Sequence, residues 1–362
     1  MNKFVSTALG LVVVGSIGAA DPGDGGWLGL DSEINDLASS LAPAQGGANF
    51  AVLTRTALGY STDDIATGGG ANTFGFDLND IDLAFWGGAG DFTYRVSFDL
   101  DGGSANLEDA FAQWACGDYA NVQFGQFKPH VLRSGWVDPE KQLFIDRTVL
   151  GSTYDRWDAG ARVFGETEGI GWSLSAQNGA TGISASHLWV LGFFYNFGAG
   201  AGMWEGARGG NDELNATLGI SFTNESGATP GPSDNQSTMI EFNGNMGQFG
   251  FGVEWADIDN DDSGSPASDF GIDGVAGNLG IMGDTSPYAL TGSYLVTPDV
   301  ELGVRYEDLD DNDSTTLLTL GASYYRSGNM AKWQAQITDV SADSPAVDGS
   351  YWQVGLTVGA SR

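Results

Sequence analysis

One cysteine, two histidines and 14 basic residues are all that 362 positions hold of those types. Each scarcity excludes something. A lone Cys116 cannot close an intramolecular disulfide, so no disulfide framework holds the chain. His130 and His187 stand in unrelated contexts, and no Cys–His zinc pattern surrounds them. Ser184, Ser186 and His187 are close in sequence, but neighbouring strand residues point to opposite faces and form no catalytic triad. No phosphate-cradling loop occurs. The chain is therefore not expected to be an enzyme, and no cofactor is implied. Against 14 basic residues stand 47 acidic ones, and the net charge of −33 repels nucleic acid. Beyond the N-terminus there is no run of ~18 apolar residues, so no helix is expected to span a bilayer.

What is present begins with the first twenty residues. Lys3 supplies a positive charge, residues 4–17 are an apolar stretch, and Gly18, Ala19 and Ala20 precede the polar DPGDGG. That order reads as a secretory signal over 1–20, removed on export. Within 21–48, Leu30, Ile34, Leu37 and Leu41 recur at helical spacing, with Asp31 or Ser32 able to cap and Pro43 to stop. A short periplasmic or trimer-associated helix is one reading; an amphipathic segment leading into the main domain is the other. Apolar residues make up 41% of the chain, too many for an acidic disordered tail.

From Asn49 onward one texture repeats through 49–362: about ten residues of alternating polarity, then a turn rich in Gly, Asp and Asn. In 92–101, Phe92, Tyr94, Val96, Phe98 and Leu100 share one face, and Thr93, Arg95, Ser97, Asp99 and Asp101 the other. The same split holds for 249–255 and for 300–307. A strand's side chains alternate with period two, so each segment has one apolar and one polar face. Further segments start near Asn49, Phe76, Leu107, Ala120, Ala159, Gly171, His187, Asn215, Ser237, Pro287, Thr315, Lys332 and Tyr351. Together they predict an all-β chain of about 16 antiparallel strands, of the ~9–11 residues a tilted transmembrane strand needs.

Connections alternate in length. Tight ones lie at 87–90, 117–119, 245–247 and 297–299; long ones at 61–73, 128–156, 224–236 and 256–286. A closed transmembrane β-barrel has this alternation of short turns and long loops. A water-soluble sandwich or propeller shows the same periodicity, with the apolar face turned inward. Strand length, the alternation of connections, and aromatics near strand ends (Tyr60, Phe85, Trp114, Phe127, Trp189, Tyr195, Tyr306, Tyr325, Trp352) favour the barrel. The competing function is an acidic cell-surface structural β-protein with no pore.

Four stretches carry a resemblance: GDFTYRVSFDL, LEDAFAQWACGDYANVQFGQFKPHVL, QLFIDRTVL and RWDAGARVFG. Their order and spacing, GQFKP leading to LFIDR above all, resemble the phosphate-selective porin family, porins O and P. The resemblance implies a trimeric sixteen-stranded outer-membrane channel whose third long loop, here 128–153, folds into the lumen as a constriction. The chain departs from the family where a paired arginine in the second strand is replaced by Asn79 and Asp80, with Asp82 following. It also ends in Arg362 where such barrels usually end in an aromatic residue.

A pore's chemistry is its lumen. Polar-face positions include the bases Arg55, Arg95, Arg162, Arg305 and Lys332, and the acids Asp80, Asp82, Asp99, Asp109, Glu241, Glu254 and Glu301. No uniformly basic track exists, which predicts weak cation preference or little selectivity rather than phosphate specificity. Six of the 14 bases (Lys128, Arg133, Lys141, Arg147, Arg156, Arg162) share one window with Asp138, Glu140, Asp146, Asp155 and Asp158. They either set a transverse field that filters solutes or pair to anchor the loop. The acidic loops holding Asp257, Asp259, Asp261 and Asp308, Asp310, Asn312 have oxygens at alternate positions, as calcium loops do. Both lack the glycine and glutamate of an EF-hand, so solvated loops are expected, with Ca2+ across neighbouring loops the alternative.

Overall fold

A computed structural model describes residues 48–62, 72–101, 103–117, 119–155, 157–178, 186–227, 235–260, 284–311, 313–343 and 348–361. The expected signal and the helical pattern after it lie outside these residues. The first eight strands are β1 (Asn49–Ser61), β2 (Thr73–Ala89), β3 (Phe92–Asp99), β4 (Asn106–Ala115), β5 (Asn121–Phe127), β6 (Asp158–Thr167), β7 (Ile170–Gln177) and β8 (Ser186–Phe197). The second eight are β9 (Asn215–Gly227), β10 (Asn235–Met246), β11 (Phe249–Asn260), β12 (Tyr288–Thr297), β13 (Val300–Asp308), β14 (Thr316–Tyr325), β15 (Ala331–Ser341) and β16 (Gly349–Ser361). Each pairs antiparallel with its sequence neighbour, and β16 returns to β1 in register from Ala51↔Ser361 to Ser61↔Tyr351. The sheet closes on itself and leaves no edge.

The faces are inverted relative to a water-soluble protein. Along β15, Lys332, Gln334, Gln336 and Thr338 are at most 5% exposed, while Trp333 and Ile337 between them are about half exposed. On β13, Glu301, Arg305 and Glu307 are buried and Leu302 and Val304 are exposed. A sandwich would hide the leucines and wet the acids. Here the polar face turns inward and the apolar face covers the outside, which is stable only against lipid. Aromatics gather where strands meet the short turns: Phe92 stacks on Trp114 at 6.1 Å, and Phe249 meets Tyr294 at 4.9 Å. Such rings mark a membrane–water interface.

The connections β2–β3, β6–β7, β10–β11 and β12–β13 are tight turns at one end, and the long connection 128–157 between β5 and β6 springs from the other. An apolar core sits inside the barrel at that second end. Val131, Leu132, Val149, Leu150 and Tyr154 of the long connection pack on inward Leu188, Val190, Met239, Ile258, Leu317 and Val340. The barrel wall thus supplies one half of a core and the connection supplies the other.

The inverted faces generate a direct test. Leu320, midway along β14, is 51% exposed. Leu320→Arg is expected to lower stability in lipid vesicles by about 2–4 kcal/mol, the cost of a cation at mid-membrane. Urea titration of tryptophan fluorescence measures it, and a negligible change would mean that this face meets water.

Candidate functional site

Two irregularities in the wall shape the lumen. Pairing of β1 with β2 slips after Arg55↔Asp80, so Thr56 meets Leu78 and Asn79 is left over. Between β3 and β4 the register slips between Val96 and Phe98. Bulges re-aim side chains, and here two consecutive acids reach the same point. The Ser97 hydroxyl lies 3.2 Å from the Glu108 carboxylate and 3.3 Å from that of Asp109. Asp82 and Asp99 face each other in register across β2 and β3. These residues border an internal cavity of 1590 Å³, with Arg55, Arg95, Asp138, Glu140, Lys141 and Arg162 also on its surface.

The connection 128–157 carries two short helices, α1 (Arg133–Trp136) and α2 (Val149–Thr153). Its backbone is tied to inward side chains of the far wall. Glu241 accepts from the Arg133 amide at 2.8 Å, Gln336 from the Ile145 amide at 2.8 Å, and Glu307 from the Val149 amide at 2.6 Å. Thr148 donates to Glu254 at 2.9 Å, and its hydroxyl also caps α2 by accepting from the Gly151 amide. Lys332 donates to the Gln142 carbonyl, and Ser323 to that of Leu143 at 2.9 Å. Phe144 occupies the space left by Gly303 and Gly321, where an added Cβ would come within 2.9 Å and 2.8 Å of its ring. Arg305 lies over the same ring at 4.9 Å.

Most bases are spoken for. Arg55 pairs with Asp80, and Arg95 with Asp109 at 2.8 Å. Lys128 and Arg147 share Asp155, the latter at 2.6 Å. Lys141 pairs with Asp138 and lies 3.5 Å from Glu140, and Arg305 pairs with Glu307 at 2.8 Å. Arg162 donates to Gln123 at 2.6 Å and covers Phe164 at 4.2 Å. Asp146 is held by Gln336 at 2.6 Å and Tyr351 at 3.1 Å. The pairs run within the loop, between adjacent strands or, for Arg305 and Glu307, within β13, and Arg95 also comes within 4.0 Å of Asp138, from wall to loop. Arg156 lies outside the described residues. Among the described residues no base lies within ion-pair distance of Asp82, Asp99 or Glu108.

Burial decides the loop's protonation. Burial, then Arg162, pushes the His130 imidazole down to about 3, and it packs neutral against Trp136 at 4.0 Å and Phe194 at 5.6 Å. Burial also lowers Arg133, against the opposing pull of Glu205, Glu241 and Glu254. Burial works against the Lys141 ammonium, but Asp138 and Glu140 outweigh it and hold its pKa up. Burial, then Asp138, raises the Glu140 carboxyl. No group of three or more metal-ligating side chains occurs among the described residues. Asp310 accepts from the Ser286 amide of the neighbouring β11–β12 connection, and Asp308 accepts from the Asp310 amide within its own turn. Asp261 and Asn312 lie outside the described residues.

Glu108, Gln123, Glu205, Glu307 and Gln336 are site residues that the candidate set lacks. Glu307 and Gln336 sit on readable polar faces. Glu108 was hidden by the bulge, and Glu205 by a stretch with no periodicity.

No family model matches the chain, and no curated protein matches it. Solved structures do. An OmpT loop-deletion variant, an outer membrane protein of Vibrio cholerae, superposes with TM-score 0.60 at 15% identity, covering 87% of this chain and 99% of that one. The anion-selective porin from Comamonas acidovorans gives 0.59 at 14%, covering 88% and 100%. DcaP, an outer membrane channel of Acinetobacter baumannii, gives 0.61 at 13%, covering 89% and 99%. The fold is a porin barrel.

The shared carboxylate generates the next test. Asp155→Ala strands Lys128 and Arg147 beside each other in a partly buried site, and is expected to cost about 3 kcal/mol, as breaking a buried pair does. Asp299→Ala, in an exposed turn, should change stability by less than ~0.5 kcal/mol. Chemical unfolding of both variants in detergent compares them, and equal stability would show that the pairs anchor nothing.

Proposed function

We propose that the chain is an outer-membrane channel through which small hydrophilic solutes and ions diffuse passively, with a preference for cations. The carrying observation is the imbalance on the lumen wall. Asp82, Asp99 and Glu108 border a 1590 Å³ cavity with no base within ion-pair distance among the described residues, while Arg55, Arg95, Lys128, Lys141 and Arg147 are neutralised locally and Arg162, on the same wall, is held by Gln123. Uncompensated charge of one sign, focused between low-dielectric walls, concentrates ions of the other. A structural barrel without a pore would have its interior filled on every side. The connection 128–157 serves as the constriction, since its ties to the far wall hold it across the lumen.

The motifs around GQFKP and LFIDR support kinship with phosphate-selective porins, but the lumen does not support their selectivity. Phosphate needs unpaired bases, and here aspartates stand at Asp80 and Asp82. A homotrimer is consistent with the related fold, since one OmpT structure is described as a trimer form. Export by the signal over 1–20 completes the reading.

Reversal potentials in a KCl gradient across a planar bilayer test it. The mature protein should select K+ over Cl−, and Asp82→Asn combined with Glu108→Gln should lower that ratio about two- to threefold, because ring charge sets selectivity. Anion selectivity in the unmodified protein would sink the proposal. Acidification should weaken the preference as well. A carboxyl whose pKa is raised gains its proton at higher pH, so Glu140 loses its charge before ordinary carboxylates do. The decline in reversal potential should therefore begin above the usual carboxylate range, and a flat profile down to that range would contradict it.

A further inference from the structure

Short-end turns such as β2–β3 and β10–β11 reverse within two residues, yet the β8–β9 connection at the same end spans 198–214. This stretch is folded against inward side chains. The Ala207 amide donates to the Glu301 carboxylate at 2.5 Å, which also accepts from the Tyr325 hydroxyl at 2.8 Å. Arg208 lies over the Tyr325 ring at 4.9 Å. Gly206 sits at φ +86, and an added Cβ would come within 2.4 Å of Glu301, so only glycine takes that path. Glu301 and Tyr325 belong to the buried polar faces of β13 and β14, so the segment rises inside the barrel from the short-turn end.

There it meets the connection descending from the other end. The Arg133 guanidinium donates to the carbonyls of Gly202 at 3.0 Å, Ala201 at 3.4 Å and Trp204. The Leu143 amide donates to the Glu205 carboxylate at 2.9 Å, and the Glu205 amide to the Lys141 carbonyl at 2.9 Å. Arg133 and Glu205 are the two fasteners. On its other flank the segment borders the open cavity through Ala199, Gly200, Gly202 and Met203, the last 38% exposed.

We propose that 198–214 is a second constriction element, fastened by Arg133 and Glu205 to the loop above it, which closes the side of the barrel ringed by β10 to β14 and sets the pore's size limit from the short-turn end. This rests on the channel reading. Size selection then belongs to a joined pair of segments, and the β1 to β6 wall, with its carboxylates that lack an ion-pair partner, faces the one remaining passage among the described residues.

Single-channel recording of the mature protein in a planar bilayer separates the two claims. Replacing 199–213 by Asn-Gly should raise conductance about twofold or more, because conductance follows open cross-section. A shortened protein that keeps heat-modifiable gel mobility and native conductance overturns the second constriction but not the channel. An unmodified protein that never conducts overturns both. Should the shortened chain fail to fold, Met203→Cys in a Cys116→Ser background decides the matter. A bulky thiol reagent should then reduce conductance by about half, since Met203 borders the passage, and unchanged conductance after confirmed labelling overturns the inference.

Discussion

Everything in this molecule follows from the requirement that no backbone N–H or C=O be left unpaired in hydrocarbon. An open sheet would leave two edges, each unpaired group costing several kcal/mol, so the strands must close. Closure is achieved where β16 lies along β1, from Ala51↔Ser361 to Ser61↔Tyr351. Once the ladder is closed and its outer face must be apolar, period two sends every intervening polar side chain inward. The inversion along β13 and β15 is a consequence of closure rather than a separate design.

That consequence creates a problem, since an acidic chain then carries many charges facing a confined interior. The molecule solves it differently on its two sides. Toward β10 to β15, Glu241, Glu254, Glu307 and Lys332 are met by backbone amides, carbonyls and hydroxyls of 128–157. A carboxylate accepting such bonds keeps its charge at less cost than one facing bare protein. Toward β2 to β4, Asp82, Asp99 and Glu108 border the open cavity with no ion-pair partner among the described residues, and water solvates them there. The acids that remain wet are the ones able to act on a passing ion.

The strands were legible because their pattern is local. β1, β3, β9, β11 and β13 begin at the residues where alternation begins (Asn49, Phe92, Asn215, Phe249 and Val300), and β2 begins at Thr73 rather than Phe76. The choice between sandwich and barrel was not legible from periodicity, since both alternate; strand length, the alternation of connections and the aromatics near strand ends pointed to the barrel, and the exposure of Leu302 beside buried Glu301 bears it out. Contacts across the lumen were equally out of reach. Nothing near Arg133 in sequence announces Glu241 or Trp204, because a hydrogen bond between segments so far apart is set by where the barrel brings them. The β3–β4 slip is a third kind of silence. A bulge adds one residue without altering composition, so Glu108 reads as outward-facing until the register is seen.

The 198–214 stretch carries its signal in its length. Its glycines suit a surface turn, and a turn is what composition alone suggests. At an end where neighbouring connections take two residues, one this long, carrying Met203, Trp204 and Arg208, has no reason to stay in water. Two apolar side chains and a cation at a membrane surface would find lipid or lumen. Glu301 decides between them. It is fully buried on the inward face, it bonds the Ala207 amide and the Tyr325 hydroxyl, and a carboxylate there without such donors would have to lose its charge or draw in water. The turn is inside because the acid opposite needs it, just as the loop above is inside because Glu241 and Glu307 do. The interior charges therefore select which connections fold inward, and those connections in turn leave the passage only on the side where the acids have none.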